Sequence, residues 1–208
     1  MQVKICGITN IEDAFAALDA GADALGFIFY PKSKRYIAPE AAGSIIKQLP
    51  PLTTTVGVFV NTAPEDINEA VKISGITMVQ LSGNEPADDI TRITRNVIKV
   101  LHIGTDFKAE SFDFKAYKTP YFLLDSADVW GGSGEKADWA VCRLIAEKFK
   151  VILAGGLTPD NVVEAIKQVQ PAAVDVSSGI EKEPGIKDHA KIQEFVSAAK
   201  RYIIYSKG

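Results

Sequence analysis

Cysteine is nearly missing from this chain of 208 residues, which holds only Cys6 and Cys142. Two isolated thiols make neither a disulfide framework nor a paired-cysteine zinc site, so both are expected to be reduced. Histidine is as scarce. His102 and His189 are the only two and lack the spacing of a zinc cluster, so metal catalysis is not expected. No apolar run is long enough to cross a bilayer and no signal peptide opens the chain, which points to a cytoplasmic protein with no membrane partner. Charge of one sign is also lacking: the net charge is -3 with both signs scattered, leaving no basic face to track nucleic acid. The chain has no Gly-x-Gly-x-x-Gly turn after its first strand and no P-loop, which weighs against a dinucleotide-binding sheet and a nucleoside triphosphate site.

What is present is a core-forming composition, 47% hydrophobic and 24% charged, without linker or low-complexity tract. One domain spanning residues 1–208 is expected. Short apolar stretches alternate with helical ones along its length. Val3-Lys4-Ile5-Cys6 reads as a buried strand stopping at Gly7, and Thr9 with Glu12 has the spacing of a capping box for a helix over 12–20. Further strands are expected at 24–29, 54–60, 78–81, 97–103, 120–125, 150–154 and 173–176. Helices are expected from Pro39, over 61–74, 86–94 and 138–149, from Thr158-Pro159 to about 168, and over 189–201, with a short one within 105–118. Eight strand–helix units closing on themselves make an α/β fold, a compact (β/α)8 (TIM) barrel; an open doubly wound sheet is the structural alternative.

In such a barrel the chemistry sits at the carboxyl ends of the strands. Those ends carry Cys6, the Arg35 loop, Gln80 with Ser82, His102 and Asp125. Lys4 and Cys6 share a strand face opposite Val3 and Ile5, which suggests a polar pocket. Taken alone, Cys6 fits a small buried hydrophobe as well as a reactive thiol. Cys142, among Val141, Leu144 and Ile145, reads as packing.

Ala154-Gly155-Gly156-Leu157 and Ser177-Ser178-Gly179 follow the seventh and eighth strands. Both can aim backbone N–H groups at an anion, so a phosphate is expected there, although glycines also serve simply to close tight turns. Arg35, beside Lys32 and Lys34, is either solvated surface or a planar fork for a carboxylate. Asp125 could cap a turn or donate a proton. Asp175, between Val174 and Val176, should face the barrel interior, where bracing by a hydrogen bond is its simplest role.

Read together, Lys4-Ile5-Cys6-Gly7-Ile8-Thr9, the loop 31–35, Val79-Gln80-Leu81, Leu123-Leu124-Asp125, Gly131-Gly132-Ser133-Gly134 with Asp138-Trp139, and the two glycine turns resemble the phosphoribosylanthranilate isomerase family of tryptophan biosynthesis. The motifs match in order along the whole chain. The resemblance implies a barrel of the phosphate-binding type, a phosphorylated small-molecule substrate, no cofactor, and a monomer or homodimer. It also implies an Amadori rearrangement of N-(5-phosphoribosyl)anthranilate to 1-(2-carboxyphenylamino)-1-deoxyribulose 5-phosphate. Within it Cys6 corresponds to the general base, Asp125 to the general acid, and Arg35 to the group engaging the anthranilate carboxylate. A base at Cys6 is expected to have its pKa lowered by Lys4 or nearby N–H dipoles. One departure stands out: the family usually has histidine then glycine after Val-Gln-Leu, where this chain has Ser82-Gly83. A binding module without turnover is the reading from another class.

Overall fold

The computed structural model describes residues 1–104, 107, 109, 112–126 and 138–201. Eight parallel strands form its centre: β1 (Gln2–Cys6), β2 (Ala24–Ile28), β3 (Thr54–Phe59), β4 (Met78–Leu81), β5 (Asn96–Ile103), β6 (Tyr121–Ser126), β7 (Val151–Leu153) and β8 (Ala173–Val176). They pair in chain order, and β8 returns to β1 through Lys4↔Asp175 and its neighbours, so the barrel closes and the open-sheet alternative falls.

Alternation along the strands creates two cores. Inward positions carry Val56, Ile98, Val100, Leu123 and Ala154, which fill the interior. Outward positions such as Val3, Ile5, Leu25, Phe27, Val79, Leu101 and Leu124 are buried in a second, larger cluster with the apolar faces of the helices. Strands apolar on both faces are what a helix-covered parallel barrel requires.

The helices are α1 (Ile11–Asp19), α2 (Pro39–Ile46), α3 (Pro64–Ser74), α4 (Trp139–Ala146), α5 (Val162–Val169) and α6 (His189–Arg201). Prolines open α2 and α3, and Gly75, at φ 77°, ends α3. None of the described helices is long and apolar enough to cross a membrane.

Several local expectations shift. The cap of α1 is Asn10, whose Oδ1 accepts from the Asp13 N–H at 2.8 Å, while Thr9 donates instead to the Gly185 carbonyl. The Thr158-Pro159 pair opens a turn, and α5 starts only at Val162. Asn161 is the cause: its side chain accepts from the Thr158 N–H and donates to the Gly156 carbonyl, both at 2.8 Å, which ties residues 158–161 to the glycine turn. The stretch 86–94 makes only a 3-10 helix, Ala87–Arg92, braced through Asn68, which bonds the Arg92 carbonyl and the Thr94 N–H. The helix expected within 105–118 falls partly outside the described residues; 114–117 form a turn. Wholly unexpected is a small hairpin after β8, β9 (Glu181–Glu183) with β10 (Ile186–Lys187), because its charged strands and Pro184-Gly185 turn read as loop.

A buried ion pair shapes the segment after β4. Lys99 points outward from β5 and meets Glu85 at 2.7 Å, both side chains nearly sealed from water. Glu85 also accepts from the N–H groups of Asn61 and Gly83 at 2.9 Å. Glu85→Ala strands the Lys99 charge and both donors, and is expected to cost about 3–5 kcal/mol in urea unfolding. Glu85→Gln with Lys99→Met, which keeps an acceptor and removes both charges, is expected to cost clearly less.

Candidate active site

At the carboxyl ends of the strands, the topmost inward positions line one cleft. Cys6, Gln80, His102, Asp125 and Asp175 supply its polar groups, and Ile28, Val58 and Ala154 its apolar ones. The cleft opens at the mouth of the barrel, a concave site where a few polar groups converge above apolar side chains. Cys6 on β1 and Asp125 on β6 stand on different walls, three strands apart through β8 and β7. Asp125 is in register with His102 on β5, so these two side chains are neighbours on the inner face.

Cys6 is almost wholly buried, beside Lys4 and Asp175, which pair at 2.9 Å. Across the strand pair lies Gly26, where a Cβ would stand 2.7 Å from the Cys6 Sγ and 3.1 Å from the Lys4 Cε. Only glycine leaves the thiol its place. Burial works against the Lys4 charge, yet Asp175 and Cys6 outweigh it and hold the ammonium above its usual range. For Cys6 the balance is the reverse of the sequence expectation: burial pushes the thiol up from 9.0, and Lys4 and Lys187 offset this only in part against Asp175. Cys142 is sealed within the outer core, where burial raises its thiol to about 12, in keeping with a packing role.

Arg35 is neither solvated nor free. Its Nε and Nη2 grip Glu181 at 2.8 and 2.7 Å, with the guanidinium mostly buried, whereas Lys32 and Lys34 are exposed. Glu181 also receives Lys187 at 2.8 Å and the Gly185 N–H at 3.2 Å. Burial opposes the Glu181 charge, but the hydrogen bonds from Arg35 and Lys187 prevail and hold its carboxyl below 4.5. Gly7, at φ 80°, lies under Arg35; a Cβ there would be 2.8 Å from the Arg35 Cδ. Sequence reasoning missed Glu181 and Lys187, since nothing local distinguishes them from a solvated hairpin; the one available signal was their nearness to the Ser177-Ser178-Gly179 turn.

The two glycine turns converge as expected. Gly155 and Gly156 take φ of 84° and 62°, left-handed conformations that suit glycine, and line the cleft with Ser177 and Ser178. Gly179 is not among the lining residues; its Cα packs against the Leu157 carbonyl, so close that no Cβ fits, and this contact joins one turn to the other. Gln80 donates to the Ser82 Oγ at 3.1 Å, and the His102 Nε2 lies 2.9 Å from the Ser82 carbonyl, so Ser82 occupies the cleft wall between them.

A closed parallel barrel with a thiol, a carboxyl group and a guanidinium at its carboxyl mouth, beside paired glycine turns after β7 and β8, defines a (β/α)8-barrel enzyme. The family model for N-(5'-phosphoribosyl)anthranilate (PRA) isomerase matches residues 3–198. The chain is 46% identical over 202 residues to the N-(5'-phosphoribosyl)anthranilate isomerase of Pelobacter propionicus, covering 96% of each. It also matches a crystal structure of phosphoribosyl anthranilate isomerase in complex with reduced 1-(o-carboxyphenylamino)-1-deoxyribulose 5-phosphate, with a TM-score of 0.82, 42% identity, and 97% and 100% of the two chains covered. Monomers generated from the dimeric phosphoribosylanthranilate isomerase of Thermotoga maritima match with a TM-score of 0.84 and 41% identity over 97% and 100% of the chains. The chain belongs to the N-(5'-phosphoribosyl)anthranilate isomerase family.

The Glu181 cluster has a pH signature. A carboxyl depressed in the folded state contributes stability that is full above its unfolded value and disappears as pH falls through the folded one. Glu181→Gln removes that contribution, so the variant's urea midpoint should change less than wild type between about pH 6 and about pH 3.

Proposed function

We propose that this protein converts N-(5'-phosphoribosyl)anthranilate to 1-(o-carboxyphenylamino)-1-deoxyribulose 5-phosphate, an isomerisation in tryptophan biosynthesis, by acid–base catalysis from Asp125 and Cys6. One observation carries the residue assignment: these two groups face a single cleft from different walls, with a guanidinium and a glycine-turn pair at its margins. Asp125 protonates the furanose ring oxygen, the bond from that oxygen to C1′ breaks, and the anilino nitrogen supplies the electrons to form an iminium ion. The Cys6 thiolate then takes the proton from C2′, giving an enolamine. Protonation at C1′ and loss of the hydroxyl proton from O2′ complete the ketone. Asp125 has lost one proton and Cys6 gained one, so a single transfer between them, direct or through water, restores the enzyme.

The raised Cys6 thiol fits this cycle. Acid and base share one proton, and the working tautomer carries it on Asp125. Lys4, on the same strand face, favours the thiolate against burial and Asp175. The iminium ion formed on ring opening favours the thiolate further, at the step that needs it. Gly155, Gly156, Ser177 and Ser178 suit the 5′-phosphate, and Arg35 suits the anthranilate carboxylate. The dimeric relative of Thermotoga maritima favours a homodimer here over a monomer.

The test is to generate phosphoribosylanthranilate in situ and follow the loss of its fluorescence. Wild type should accelerate the loss, while Cys6→Ala and Asp125→Asn, folded by circular dichroism, should lower kcat by about 10²–10⁴-fold. Arg35→Ala should raise KM about tenfold or more with a smaller change in kcat. No acceleration by folded wild type would leave the binding module as the better reading. In the pH profile of kcat/KM, the alkaline limb reports loss of the shared proton, so it should lie above the ordinary thiol value of 9.0. An alkaline limb near neutrality would contradict the raised thiol, while the Cys6→Ala result decides the base role.

A further inference from the structure

The most densely charged group of side chains at the cleft is one that the acid–base cycle leaves without a task. Glu181, on a hairpin strand outside the barrel, is the point where Arg35, Lys187 and the Gly185 N–H meet. Its carboxylate takes the Nε–Nη2 edge of the Arg35 fork. Among the described residues Nη1 has no hydrogen-bond partner, while Arg35 itself lines the cleft. A guanidinium offers a carboxylate either its side-on edge or its end-on edge, and here the first is taken. Gly7 pressing on the Arg35 stem removes a further freedom.

We propose that Glu181 is a positioning residue: it turns the end-on edge of Arg35 toward the cleft to receive the substrate carboxylate, with fully buried Lys187 as its countercharge. This rests on the carboxylate role given to Arg35 above. A pair of Arg35 and Glu181 alone would be neutral, and an incoming carboxylate would meet no net attraction. Lys187 changes that count, since two cations against one anion leave a positive charge to bind the carboxylate. The hairpin is tied down independently, through Thr9 to the Gly185 carbonyl and through Asp13 to the Lys187 N–H at 2.8 Å. The guanidinium is therefore oriented before substrate arrives, which spares an ordering cost on binding.

The experiment compares wild type, Arg35→Ala, Glu181→Gln and the double variant on phosphoribosylanthranilate and on the analogue made from aniline, which lacks the carboxylate. Expected is a KM raised about tenfold by Glu181→Gln on the natural substrate, with kcat within about threefold, little further rise in the double variant, and no KM change on the analogue. An unchanged KM for Glu181→Gln where Arg35→Ala raises it overturns the positioning role and leaves the Arg35 reading intact. An equal KM rise on both substrates also overturns it, marking a general loosening of the loop. If Arg35→Ala leaves KM unchanged, the carboxylate reading itself fails and takes this inference with it. Should Glu181→Gln not fold, Glu181→Gln with Lys187→Met removes the unpaired buried cation and is judged by the same outcomes.

Discussion

Lys4 and Asp175 meet 2.9 Å apart, out of water, at the seam where the last strand returns to the first. Desolvating both charges is expensive, and such a pair adds little to stability compared with a well-packed apolar substitute. Its value lies in what it determines. It fixes the register of β8 on β1 and so the closure of the barrel, and it places a permanent cation beside Cys6. The inner apolar layer of Val56, Ile98, Val100 and Leu123 lies among the same strands and keeps water out from beneath the site. Each charge at the mouth therefore acts in a poorly screened setting, where small displacements matter.

The glycines of the site follow from the same crowding. Gly26 makes room for the thiol, Gly7 for the Arg35 stem, and Gly179 for the Leu157 carbonyl. In each place a methyl group would displace a functional element. Only Gly7 of the three also has a left-handed backbone; at the other two the demand is for space. The two demands leave the same letter in a sequence and can be told apart only by what stands opposite.

The raised Cys6 thiol is the instructive departure. Lys4, two residues earlier on the same face, suggested a depressed value, and the attraction is real. Burial is the larger effect, and Asp175, which cancels part of the Lys4 field, comes from a strand more than 160 residues away in sequence. A thiol that is protonated at rest suits the proposed cycle, in which acid and base share one proton.

Strand positions, the strand-end places of Gln80, His102 and Asp125, the shared face of Lys4 and Cys6, the inward face of Asp175, and the glycine turns after β7 and β8 were legible in the sequence, because period-two alternation and glycine punctuation are local properties of a chain. The start of α5 and the cap of α1 were less so, since Asn161 and Asn10 competed with equally plausible neighbours. Closure of the barrel, the seating of Arg35 on Glu181 and the burial of Lys187 were decided only in three dimensions. Those contacts join residues 146 and 171 positions apart, or sink a lysine that composition assigns to the surface, and no local pattern encodes a partner that distant. The sequence by itself determined which groups face the mouth of the barrel; the tertiary structure decided their charges and their aim, because both depend on what packs against them.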